Sequence, residues 1–80
     1  MKTHELKTWS EYFEDVFMGR KTFEVRFNDR DFQLGDYVIL REYNNEKQEY
    51  TGRMMARRVL YILQGGAFGI AKGYIVMAIG

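Results

Sequence analysis

The sequence predicts a mostly β domain of the α+β class, in which one N-terminal helix covers an opening of a small curved sheet. Three observations carry that prediction. Near the N-terminus, Trp9, Tyr12, Phe13, Val16 and Phe17 repeat at helical spacing and mark one apolar stripe. From Thr22 the period changes to two, with Phe23, Val25 and Phe27 alternating against Glu24 and Arg26. The remaining chain divides into β-rich runs punctuated by glycine and polar clusters, and it contains no proline.

The elements follow in order. His4 to Lys7 reads as a short strand. Thr8-Trp9-Ser10-Glu11 has the form of a capping box, in which hydroxyl and carboxylate satisfy the free donors of a helix start. A helix of roughly ten residues follows, and Gly19 supplies the left-handed stop. Thr22 to Phe27 is a strand, Asn28 to Asp31 a polar loop, and Leu34-Gly35-Asp36 a turn. Tyr37 to Tyr43 forms the next strand, with Val38 and Leu40 on one face. Asn44 to Glu49 is a charged hairpin connection into a long strand from Tyr50 to Leu63. Gln64 to Gly73 is a glycine-rich loop, and Tyr74 to Ile79 closes the sheet. Four or five strands after one helix suggest closure into a small barrel, which would protect the apolar last strand from an exposed edge.

Eighty residues hold a single domain, residues 1–80, without repeats or linkers. A chain this short buries only about 60–65% of its unfolded surface, so its aromatic content of 16% matters for the core. There is no Cys and one His, which argues against disulfides, thiolate chemistry and a zinc site; no metal or cofactor is expected. No charged-then-apolar leader opens the sequence, and no apolar run approaches the ~20 residues of a membrane span. A cytoplasmic domain is therefore expected.

Net charge is only +1, so a strongly basic nucleic-acid binder is excluded by composition. The distribution is uneven. All eleven acids lie within residues 1–49, whereas residues 50–80 carry Arg53, Arg57, Arg58 and Lys72. These bases either create a positive surface or pair with acids of the first half across the sheet.

Ionisable groups crowd into Arg20-Lys21-Thr22-Phe23-Glu24-Val25-Arg26 and the following Asn28-Asp29-Arg30. Glu24 and Arg26 share a strand face roughly 6–7 Å apart, and Lys21 leans over the same area. On a solvated face this mixture only keeps the sheet soluble. Lining a cleft, Lys21 and Arg26 would donate to phosphate or carbonyl oxygens, and Glu24 would accept from an amine. Asp29 and Arg30 read first as turn residues, with Arg30 kept as a ligand candidate. Arg53 and Arg57 would extend the electrostatic reach. In the loop Gly65-Gly66-Ala67-Phe68-Gly69, Phe68 either plugs the barrel end or, with Tyr74, stacks on a base. The loop lacks the Lys-Ser/Thr ending of a phosphate-binding P-loop. An imidazole can serve as a general base, but His4 reads as packed or surface rather than catalytic. Thr22 and Thr51 have no neighbouring His–acid pair to activate them.

The helix ending in Gly-x-Lys-Thr, the strand Phe-Glu-x-Arg and the downstream Gly35-Asp36 resemble the signature of ASCH domains, of the PUA-like superfamily. His4-Glu5-Leu6-Lys7, Asp29-Arg30 and Tyr50-Thr51-Gly52-Arg53 extend the resemblance to a compact bacterial and phage group of unassigned function. The resemblance implies a PUA-like β-barrel whose cleft, between helix and sheet, holds RNA or a modified nucleoside. Lys21, Glu24 and Arg26 are the motif positions. The expected function is thus a small non-catalytic binding module for RNA or a nucleoside-like ligand.

Two alternatives stand beside it. One ASCH branch is an amidohydrolase acting on acetylcytidine, through a Lys and a Thr on this segment and a later Glu. This chain keeps Lys21, has Glu24 in place of the Thr, and has no Glu after residue 49. A hydrolase would have to use Lys21 and Glu24. The third reading is a phage-type protein-binding or inhibitor module.

Overall fold

A computed structural model describes residues 1–80. The elements are β1 (Thr3–Trp9), α1 (Ser10–Phe17), β2 (Phe23–Phe27), β3 (Tyr37–Asn44), β4 (Glu49–Gln64) and β5 (Tyr74–Ile79). They form one five-stranded sheet in the order β1-β3-β4-β5-β2. β1 runs parallel to β3, while the other neighbours are antiparallel. The α1–β2 segment therefore leaves β1, lays β2 at the far end of the sheet, and returns to β3 beside β1.

Local chemistry sets the turns. Asn44 Oδ1 accepts from the backbone of Glu46 and Lys47, closing the β3–β4 hairpin. β4 is long enough to pair with β3 along its first part and with β5 along its last. Between these parts the register slips around Leu60, a bulge that bends the sheet. Gly19 has φ +80° and ends α1 as expected, since a left-handed residue there carries no Cβ penalty. The bend encloses a core of Leu6, Val38, Leu40, Val59, Ile75 and Met77, capped by Phe13 and Val16 of α1. The mostly β class and the element order agree with the sequence reading.

Several expectations need correction. The capping box does not form: α1 starts at Ser10 behind Trp9, and no side chain caps it. Thr8 is held in β1 opposite Glu42 instead, because ladder pairing with β3 continues to Trp9. The helix is eight residues long, and only Phe13 and Val16 are buried. Tyr12 and Phe17 do not join the core; both remain exposed. A one-turn spacing is the only part of the stripe that a helix this short can press onto β1 and β3. Phe68 does not plug the sheet, being 84% exposed. On β2 the alternation is right but Phe23, Val25 and Phe27 lie outside, while Glu24 turns inward and is buried.

The expected ring of hydrogen bonds is also absent. The end strands β1 and β2 pair with β3 and β5 alone. What lies between them is a seam, and it contains the candidate site.

Candidate functional site

The seam arises from alternation of backbone groups along each end strand. The Tyr37 N–H donates to Lys2 O, so even-numbered residues of β1 face β3. Odd-numbered residues turn their backbone toward the seam. On β2, bonds between Ile79 and Thr22 and between Asn28 and Gly73 place Glu24 and Arg26 on the paired side. Phe23, Val25 and Phe27 therefore turn theirs toward the seam. An unpaired edge of this kind needs other partners. Arg26 Nη2 donates to Lys7 O at 2.8 Å and Arg30 Nη1 to Glu5 O at 2.5 Å. Lys21 Nζ donates to Phe23 O at 2.7 Å. Cationic side chains thus stand where ladder hydrogen bonds would close a barrel.

These cations are organised by one buried carboxylate. Glu24 Oε1 accepts from Lys21 Nζ at 2.8 Å, and its Oε2 accepts from Arg26 Nε at 3.0 Å. Glu24 is 3% exposed, whereas Lys21 and Arg26 keep part of their side chains at the surface. Two cations around one anion leave the triad net positive. Because the arginines occupy two carbonyls of the β1 edge, the groups still facing the seam are mainly N–H donors. Such a lining suits an acceptor-rich ligand.

The seam widens beside α1 into a cleft of about 370 Å³, lined by Lys7, Thr8, Trp9, Tyr12, Lys21, Glu24, Val25 and Arg26. Trp9 and Tyr12 lie nearly parallel, 6.3 Å apart with an interplanar angle of 18°, and both rings are half exposed. Lys21 Nζ sits 6.0 Å from the Tyr12 ring centre and 5.0 Å from that of Phe23. The Thr8 hydroxyl is buried without a hydrogen-bond partner. Such orphans are rare, and this one lies at the wall of the cleft. Neighbouring hollows extend the groove both ways, past Asp15 and Arg20 at one end and past Asp29 and Arg30 at the other.

The structure brings Lys21, Glu24 and Arg26 together and places Arg30 on the same seam. It does not bring the other candidates there. Arg53 pairs with Glu42 and Glu14 and stacks over Phe13, so it ties β4 to β3 and α1. Glu42 is held down to about 2 by the Arg53 guanidinium, against burial, with Thr51 and Ser10 adding hydrogen bonds. This is the cross-sheet pairing of the basic second half with first-half acids. Arg57 sits on β4 opposite Val38 and donates to Ala56 O. Tyr74 packs edge-on against Phe27, and Phe68 projects from the loop.

His4 is packed rather than at the surface: its Nε2 lies 2.8 Å from Asp36 Oδ2, both residues being buried. Sequence reasoning missed Lys7, Thr8, Trp9 and Tyr12, because Thr8 and Trp9 resembled a helix cap and Tyr12 a core residue. No group of three or more His, Cys, Asp or Glu is placed to hold a metal ion. No helix is long and apolar enough to cross a membrane.

The chain is 38% identical over 58 residues to an uncharacterized 12.9 kDa protein in the GpA 3′ region of Escherichia phage P2. That stretch is 72% of this chain and 51% of the phage protein, so the chain spans about half the length of that curated relative. The model of a domain of unknown function, DUF3850, matches residues 3–79, from the first strand to the end of the last. Since every element described above falls within that match, the chain belongs to the DUF3850 family.

Proposed function

We propose that the seam is a ligand cleft and that the domain is a non-catalytic binding module for a nucleoside-like group, presented free or by RNA. The carrying observation is the pairing of an aromatic wall, Trp9 and Tyr12, with the cationic Lys21–Glu24–Arg26 triad across one cleft. A base has a π-face for the rings, a stacking contact worth about 1–3 kcal/mol, and carbonyl or phosphate oxygens for the cations. Both Glu24 oxygens already accept from Lys21 and Arg26, so its role here is to position those donors. On this reading the sheet is a PUA-like barrel of the ASCH type whose closing seam is left open for ligand. A volume of about 370 Å³ is within the range of small-molecule sites.

Nothing at the cleft favours the amidohydrolase reading. Lys21 Nζ is engaged with Phe23 O and Glu24, an arrangement of a binding cation rather than a free base.

The test is an NMR titration of labelled protein with nucleosides, acetylcytidine included, and short single-stranded RNAs. Shifts centred on residues 7–9, 12 and 21–26, weakened at least fivefold by Trp9→Leu and by Lys21→Ala, are expected. An unchanged spectrum at millimolar nucleoside and high-micromolar RNA would overturn the reading.

A further inference from the structure

Because Glu24 and Arg26 of β2 turn inward, the alternate residues of this strand form its outer surface. Register carries that surface across the sheet. Phe23 stands beside Ala78, Val25 beside Val76 and Phe27 beside Tyr74. β4 continues the rows with Tyr61 beside Ala78 and Leu63 beside Val76. The residues of these rows are all uncharged, and Phe23, Val25, Phe27, Tyr61 and Tyr74 are each 42–62% exposed. α1 packs against β1 and β3, so it leaves this face uncovered.

The size of the face indicates what it is for. Four half-exposed aromatic side chains at about 200 Å² each, with Val25 and its neighbours, present roughly 500 Å² of apolar surface. That lies within the range of the largest patches on monomers, which are often functional. Two such faces together would bury about 1,000 Å², the threshold for a specific interface before any polar rim is added.

We propose that the outer face of β2, β5 and β4 is the contact between two copies of this chain, packed sheet on sheet about a two-fold axis. An uncharged surface meets itself without repulsion, whereas a charged partner would find nothing here to pair with. The net charge of +1 opposes association of two copies only weakly. Twisted sheets pack face to face with their strands within about 30°, so an uncharged apolar face is a suitable mate for its own copy. Val25 also lines the cleft, and Phe23 and Phe27 line its neighbouring hollows, so the contact runs along the rim of the seam in each copy.

Sedimentation velocity of the intact chain from about 1 µM to about 500 µM tests this, spanning the affinities expected of a small interface. The mass is expected to rise from one chain to two across that range. Tyr61→Lys places a charge on a 62% exposed side chain that supports little of the fold. Val76→Lys places one at the centre of the face. Each is expected to move the midpoint to at least tenfold higher concentration with an unchanged far-UV spectrum. Tyr50→Lys, at the opposite end of β4, leaves it unchanged. A single-chain mass throughout the range, or a midpoint within threefold of the parent in both face variants, overturns the proposal.

Discussion

Asp36 is the most informative residue to change, because one carboxylate fastens the N-terminal strand to the turn that precedes β3. It is 2% exposed. Its Oδ1 accepts from the Lys2 N–H at 2.9 Å, and its Oδ2 accepts from the Gln33 N–H at 3.0 Å while lying 2.8 Å from His4 Nε2. The Lys2 bond, then His4, then Gln33 lower its pKa from the ordinary 3.8 to about 2, against the opposing effect of burial. At 1.36 kcal/mol per pKa unit, this corresponds to at most about 2.5 kcal/mol of stability. In Asp36→Asn a single oxygen must serve both sides. Either Lys2 N–H or Gln33 N–H then faces an amide NH₂, which costs about 1–3 kcal/mol.

The folded pKa lies below the unfolded one, so the contribution is complete above about pH 4 and is lost as pH falls toward 2. Urea unfolding followed by far-UV circular dichroism at pH 6 and pH 2 measures it. The variant is expected to lose about 2 kcal/mol at pH 6 and less than half of that at pH 2, where the parent carboxyl is about half protonated even when folded. Equal losses at both values, or a loss under about 0.5 kcal/mol at pH 6, would refute the assignment of a charged, triply bonded carboxylate.

Three further outcomes follow from the same geometry. Thr8→Val removes a buried hydroxyl without a partner and keeps its shape, so urea unfolding is expected to show unchanged stability or a gain of up to about 1 kcal/mol. Gly73→Ala puts a Cβ 2.7 Å from Phe27 Cε1 at φ +90°, and a loss of about 1–3 kcal/mol is expected, with Phe27 and Tyr74 resonances displaced. Phe68→Ser removes a ring that is 84% exposed, and its unfolding free energy is expected to stay within about 0.5 kcal/mol of the parent.

Element types and order were legible because periodicity survives tertiary packing. The β5 bounds, the β3–β4 hairpin and the Gly19 stop follow from local composition alone. What local pattern does not encode is which side of a strand becomes the inside. On β2 the apolar row reads as the core row, yet Glu24 is buried, because the seam needs a carboxylate to hold two cations. Thr8 and Trp9 show the same limit. Thr8-x-x-Glu11 is a plausible cap in isolation, but seven paired positions along β3 keep both residues in a strand. The charged half of the site was visible from the spacing of Lys21, Glu24 and Arg26. The aromatic half was not, since Tyr12 shares a helical stripe with Phe13 and only the placement of β1 and β2 separates their environments.

The two end strands should also keep different time on their two edges. Amides of His4, Leu6 and Thr8 sit in the β3 ladder, whereas those of Glu5 and Lys7 face the seam, where the arginines occupy carbonyls and leave N–H groups open to water. Hydrogen exchange along β1 should therefore alternate, slow at even and fast at odd positions, with the same beat on β2 between Glu24 and Val25. A molecule lodged in the seam would silence the fast beat first. The exchange clock of Lys7 and Val25 is thus a built-in occupancy gauge that needs no knowledge of what the occupant is.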